Sequence, residues 1–268
     1  MGIWNRRTIF LKGLGTALKT LTAIPWSGTE SEDFAAALPW FPVIGLLIGG
    51  ILYGITLSCT HLPLSPWPAG IALLLVVADI CLTRGLHLDG VADWADSLGG
   101  LFHREKRLSI MKDSSLGTFG VLALIVTLLL KWIAFERLIS LGSAVWIPPI
   151  FILSRDMMVE LMTTLPYARA EEGMGRPFVV QATLRHRILS HGLTLVMGIC
   201  LGPFFLILFC LSWLETVCFG RRCRDVFGGI TGDLLGTANE MVEITLLMIC
   251  AFPGKSLNGL TGWVWILQ

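Results

Sequence analysis

His87, Asp89, Asp93 and Asp96 fall within one short run, Leu86-His-Leu-Asp-Gly-Val-Ala-Asp-Trp-Ala-Asp96, directly after a hydrophobic segment. Spacings of four and three place the three carboxylates on one face of a helix, with His87 and Gly90 beside them. Three like charges on one face repel, so something positive must hold them, and a divalent metal is the usual partner of such a set.

A second polar motif is Gly228-Gly-Ile-Thr-Gly-Asp-Leu-Leu-Gly236. Gly228, Gly229 and Gly232, with Thr231 between them, let backbone N–H groups approach an anion, and the start of the following helix adds its partial positive end. Asp233 either completes the metal site begun by the first cluster or is simply an N-cap. The run Met111-Lys-Asp-Ser-Ser-Leu-Gly-Thr-Phe-Gly120 offers Asp113 as a further ligand, with helix capping by Ser114 or Ser115 as the plainer role. Arg155, next to Asp156, neutralises its neighbour or clamps a phosphate bidentately. Arg169, in Tyr167-Ala-Arg-Ala-Glu-Glu-Gly-Met-Gly175, is a further candidate for phosphate. Lys131 lies near the end of an apolar segment, where it snorkels to the interface or serves as a buried counter-ion to the carboxylates.

The elements that must position these groups are membrane helices. Of 268 residues 54% are hydrophobic and 15% charged, and the mean hydropathy is +0.74; soluble domains carry about 25% charged residues. From Phe34 to Ala78 there is no charged side chain. The net charge of +1 selects no partner, and no basic run points to nucleic acid. No cleaved signal peptide is expected, and the seven cysteines read as reduced, lipid- or core-facing residues. A span needs roughly 20 apolar residues, and such segments recur at 38–58, 69–86, 116–135, 139–155 and 235–252. The stretch 188–220 crosses once, or twice with a break at Gly202-Pro203. Basic residues before the first span, at 104–112, at 169–187 and at 221–224 share one side only if it crosses twice. The expected architecture is therefore an all-α integral membrane protein, one membrane domain over 1–268 with about seven crossings. It divides into an amphipathic or re-entrant N-terminal segment (1–30), a transmembrane bundle (31–252) and a tail (253–268) whose Trp263 and Trp265 suit the interface. The N-terminus and the polar motifs face the cytoplasm.

The run from Gly85 to Gly100 resembles the signature of the bacterial cobalamin synthases, the adenosylcobinamide-GDP ribazoletransferases. Phe41-Pro-Val-Ile-Gly45, the 111–120 run, Tyr167–Gly175 and Gly228–Gly236 match the same family in order, so the resemblance covers roughly residues 15 to 250. Three positions depart from it. Ala23 replaces an expected arginine, Arg84 stands where glycine is common, and Asp156 follows Arg155 where an apolar residue is usual.

The resemblance implies condensation of adenosylcobinamide-GDP with α-ribazole, or its 5′-phosphate, releasing GMP in a bacterial inner membrane. The ribazole 5′-hydroxyl would attack the cobinamide-linked phosphate. Such phosphoryl transfer relies on positioning and charge stabilisation, and Mg²⁺ suits it. On this reading Asp89, Asp93, Asp96 and Asp233, with Asp113 nearby, hold Mg²⁺. Gly228, Gly229, Thr231, Gly232, Lys131, Arg155 and Arg169 serve the phosphates, and His87 or an Asp takes the hydroxyl proton. The bilayer is the other partner, and self-association is left open. Two rivals fit less well. A CDP-alcohol phosphotransferase wants an arginine where Asp93 stands, and a transporter wants carboxylates mid-span and internal repeats.

Overall fold

The computed structural model describes residues 3–28, 31–61, 67–101, 103–169 and 173–262. The middle of the Pro-rich connection after His61, residues 170–172 and the tail tryptophans lie outside the described residues. Among the described residues eleven α-helices follow one another: α1 (Ile3–Leu21), α2 (Phe41–His61), α3 (Pro68–Thr83), α4 (Leu86–Leu98), α5 (Arg104–Ile110), α6 (Thr118–Ser140), α7 (Ile147–Thr164), α8 (Arg176–Gln181), α9 (Leu184–Gly198), α10 (Pro203–Phe227) and α11 (Gly232–Ala251). Short 3₁₀ turns precede α2 and α7 and follow α9 and α11. No strand occurs among the described residues, only an isolated bridge between Tyr167 and Ile230.

Four described segments are long and apolar enough to cross a membrane: Phe34–His61, Thr118–Ser140, Pro203–Phe227 and Gly232–Ala251. A fifth is made by α3 and α4 together, bent by 91°. By length and apolarity alone these are four to five of the seven crossings expected. The span expected over 69–86 ends at Thr83, and the 16 residues of α3 reach about 24 Å against a hydrocarbon core of about 30 Å. Consecutive left-handed residues, Arg84 (φ 57°) and Gly85 (φ 64°), then turn the chain into α4. The segment expected at 139–155 is shifted to α7, which carries Arg155, Asp156 and Glu160 and is buried along nearly its whole length. It packs against α2, α9, α10 and α11, so protein rather than lipid surrounds its charges. The break expected at Gly202-Pro203 is present: Gly202 adopts φ 89° and Pro203 opens α10. The helix before it, α9, has 15 residues, about as short as α3. Exposed leucines, isoleucines and valines along α3 and α6 form the lipid-facing surface.

Chain reversals fall into two groups. The residue pairs Ala23–Leu82, Asp96–Gly117, Arg104–Ala168 and Arg169–Asp233 join at one end. At the other, Ser143 meets Asn258 and Leu201 meets Gly262. The runs at 86–96, 111–120 and 228–236, with Arg169, belong to the first end, whereas Lys131, Arg155 and Asp156 lie within the bundle.

Candidate active site

Close contact between α4 and α11 builds the site. A Cβ on Gly90 would overlap the carbonyl of Asp233, and one on Gly236 would sit 3.0 Å from the Cα of His87. These two glycines therefore let the helix backbones approach, and Thr237 ties them by donating from Oγ1 to the carbonyl of Gly90 (2.9 Å). Asp89, Asp93 and Asp233 thus face one cavity of about 720 Å³. Asp113, Lys112 and Arg84 share its polar wall, and Leu86, Leu88, Leu124 and Leu128 form an apolar one.

Asp233 is fixed by its neighbours. Arg169 donates to its Oδ2 at 2.7 Å, and the same guanidinium reaches the carbonyl of Met111 at 3.2 Å. One arginine therefore joins the 111–120 run to the start of α11. Thr231 is the N-cap of α11, accepting at Oγ1 from the N–H of Leu234 (3.3 Å). Gly228 and Gly229 answer a different need from the one expected. Gly228 closes α10 with φ 75°, and Gly229, with φ 155°, passes so close to Pro166 that a side chain would strike its carbonyl. That passage lets Ile230 and Ala168 pair through their backbones (Ile230 N–H to Pro166, 2.9 Å; Ala168 N–H to Ile230, 2.8 Å). Only Gly232 of the three has open space beside it.

Several candidates are placed elsewhere. Asp96 accepts the backbone N–H of Gly117 and of Gly120, both at 2.8 Å, and so satisfies the first turn of α6 instead of facing the cavity. His87 is buried and absent from the cavity wall; Asn239 donates to its Nδ1 at 2.9 Å. The orientation of that amide follows from Glu243, whose Oε1 accepts from the same Nδ2 at 2.9 Å. Asp113 is exposed, and the Ser115 side-chain and backbone hydrogen bonds hold its carboxyl below the usual range. Burial raises the Tyr167 phenol, beside Arg169 and Asp233, above its ordinary value.

Lys131 and Arg155 do not reach the cavity. The Lys131 ammonium lies 2.7 Å from each of Asp79, Glu240 and Glu243, drawn from α3 and α11. Arg155 pairs with Glu243 and stacks on Phe151, 4.9 Å from its ring centre. The expected pairing of Arg155 with Asp156 is absent because adjacent helical residues point about 100° apart. Asp156 turns the other way, to Ser190 (2.6 Å) and His191 (2.8 Å) of α9. Sequence reading left Asp79, Asn239 and Glu243 without a role. The available signal was a charge inside an apolar span, which is rarely there without a partner.

Asp79, Glu240 and Glu243 offer ligand atoms within 4.8 Å of one another, the spacing a single cation requires; no other such group occurs among the described residues. This buried set could bind a metal, and Lys131 supplies its positive charge here. Asp89, Asp93 and Asp233 are set wider, around a cavity.

A family profile described as cobalamin-5-phosphate synthase matches residues 13–251. The chain belongs to the cobalamin-5-phosphate synthase family. An adenosylcobinamide-GDP ribazoletransferase of Chlorobaculum parvum is 39% identical over 259 residues, covering 92% of this chain and 98% of its own. The protein of the same name from Chlorobaculum tepidum is 39% identical over 252 residues, with the same coverage. One from Syntrophobacter fumaroxidans is 37% identical over 248 residues, covering 88% of this chain and 97% of its own. No solved structure matches the chain. The runs at 86–96, 111–120 and 228–236, with Arg169, meet at one end of the bundle.

Proposed function

We propose that this chain is an adenosylcobinamide-GDP ribazoletransferase, a multi-pass membrane enzyme acting at the cytoplasmic face of a bacterial inner membrane. It joins adenosylcobinamide-GDP to α-ribazole or its 5′-phosphate and releases GMP, the step that closes the nucleotide loop of cobalamin. Family membership over nearly the whole chain carries the assignment. The convergence of Asp89, Asp93, Asp233 and Arg169 on one cavity supports its placement.

In the reaction a ribosyl hydroxyl of the acceptor attacks the cobinamide-linked phosphorus. The new O–P bond forms as the bond to the GMP oxygen breaks, GMP leaves with that electron pair, and the hydroxyl proton passes to a base. The family description names a 5-phosphate product. A 5′-phosphate that survives into the product occupies that oxygen, so another ribosyl hydroxyl is the nucleophile, not the 5′-hydroxyl expected at first.

The donor set suits Mg²⁺. This ion prefers oxygen, keeps several waters and is held by one or two carboxylates together with substrate phosphates, so the wide spacing of Asp89, Asp93 and Asp233 is appropriate. When bound there, Mg²⁺ would neutralise diphosphate charge and stabilise the leaving group. The chain's own groups do the rest. Arg169 holds Asp233 in place and brings a positive charge to the same point. The backbone at Gly232 leaves room for an anion at the start of α11. A cavity carboxylate, Asp89 or Asp93, receives the proton, because His87 already accepts a hydrogen bond at Nδ1 and lies off the wall. Asp96, Lys131, Arg155, Gly228 and Gly229 take structural parts in this scheme.

The test is GMP release by purified protein in liposomes, supplied with adenosylcobinamide-GDP and α-ribazole. Product formation that stops with EDTA and resumes with Mg²⁺ supports the assignment. Folded protein that binds neither substrate refutes it.

A further inference from the structure

One stripe of α10 faces lipid and ends in cations. Ile207, Leu211, Leu214 and Cys218 are exposed and recur every three or four residues, which sets them on a single face of the helix. Arg221 and Arg222 continue that face toward the end of α10, and both are exposed. At 1.5 Å per residue Arg221 lies about 27 Å along the helix from Pro203, against a hydrocarbon core of about 30 Å. The stripe therefore closes with two guanidinium groups at the level of the lipid headgroups.

Helix α5 packs against this end of α10 and adds to its charge. The Arg104 guanidinium covers Gly228, where an added Cβ would strike it, and donates to the carbonyl of Ala168 at 3.0 Å. Arg224 donates to the carbonyl of Thr164 at 3.2 Å. Arg104, Lys106 and Arg224 are exposed like Arg221 and Arg222, and the acids beside them are Glu105 and Asp225. Among the described residues neither Arg221 nor Arg222 is paired with a carboxylate. Leu101, just before α5, is fully exposed. A bare leucine beside a run of cations is the make-up of segments that lie in the membrane interface.

Cations gathered at the end of a spanning helix attract anionic headgroups, and the guanidinium fork matches phosphate oxygens. Arg221 and Arg222 stand on the face that touches lipid, which favours a lipid phosphate over a soluble one. We propose that Arg221 and Arg222, with Arg104 and Lys106, hold the headgroup of an anionic phospholipid of the phosphatidylglycerol class. The site shares no residue with the reaction cavity and does not depend on which substrates that cavity takes.

The experiment compares retention of phosphatidylglycerol and phosphatidylcholine by the full chain in mixed detergent micelles, read by native mass spectrometry. Wild type retains phosphatidylglycerol preferentially. In R221Q/R222Q the preference falls about tenfold or more, since each interfacial arginine contributes several-fold to binding of an anionic lipid. R221K/R222K keeps most of the preference, because the charge remains without the fork. R176Q/R185Q, which removes two exposed cations elsewhere on the chain, keeps all of it. Thermal unfolding gives a second reading: phosphatidylglycerol raises the unfolding temperature of wild type and R176Q/R185Q more than that of R221Q/R222Q. Equal retention of the two lipids by wild type overturns the proposal, and so does a preference that survives in R221Q/R222Q. Equal losses in R221Q/R222Q and R176Q/R185Q overturn it as well, because they reveal a response to net charge rather than a site. Displacement of the lipid by excess inorganic phosphate reveals a site for soluble anions and also overturns it.

Discussion

Two carboxylates of α4 that look equivalent by spacing have different work, and substitution separates them. Asp93→Asn removes a cavity carboxylate and is expected to lower GMP release by about a hundredfold or more with little change in unfolding temperature. Asp96→Ala removes the acceptor for two N–H groups at the start of α6 and is expected to cost about 1 kcal/mol or more of stability, as lost caps do. Parallel unfolding curves and initial rates of the two variants check both statements. The sequence spacing told which face of α4 carries the acids; it did not tell that α6 begins against the end of that face. The same limit applies to Arg155 and Asp156, whose adjacency suggested a pair although a helix sends them to different neighbours. His87 looked like a base beside two carboxylates, but it is buried against α11, where Asn239 takes up its Nδ1.

At the scale of helices, two devices hold the site together. The buried ion cluster joins α3, α6, α7 and α11 through Asp79, Lys131, Arg155, Glu240 and Glu243. Lys131→Met leaves its carboxylates without their shared cation and is expected to destabilise the protein by about 3–5 kcal/mol, the cost of breaking a buried pair from one side. The expected signature is a lower unfolding temperature in detergent, with loss of activity following loss of fold. The second device is the glycine contact between α4 and α11. Gly90→Ala forces a methyl against the Asp233 carbonyl, and overpacking of this kind costs about 1–3 kcal/mol. It also moves Asp89 and Asp93 relative to Asp233, so activity is expected to fall further than stability alone explains. Most helices were legible from apolar length and the break before α10 from Gly202-Pro203, whereas the cap of α11 expected at Asp233 is Thr231. The ion cluster was not, because its members are scattered from residue 79 to residue 243 and only folding brings them together.

For the whole molecule, the arrangement separates a motif-bearing end from a plain one. The basic residues at 104–112 and 221–224 lie with the motifs, and the turns at 141–146 and 199–203 lie opposite. By the bias of basic residues toward the cytoplasm, Cys200, exposed at the plain end, is expected to react with an impermeant maleimide added outside spheroplasts. A cysteine introduced by K106C in a background free of other cysteines is expected to react only after permeabilisation. The reverse pattern would invert the orientation. Composition alone pointed to a membrane, and the charge bias predicts the sidedness that this labelling tests. Two of the expected crossings depart from the pattern of a long apolar helix, α7 because it is charged and buried and α9 because it has 15 residues, yet each runs from one end of the bundle to the other.

The most direct measurement follows GMP release and cobalamin formation in liposomes, with wild type and Asp93→Asn side by side across a Mg²⁺ titration. Metal-assisted transfer at Asp93 requires product from the wild type that depends on Mg²⁺, and a variant that folds, retains the substrates and turns over at least a hundredfold more slowly. Near-wild-type turnover by Asp93→Asn, or a wild-type rate unchanged by EDTA, would contradict a metal-assisted transfer in this cavity.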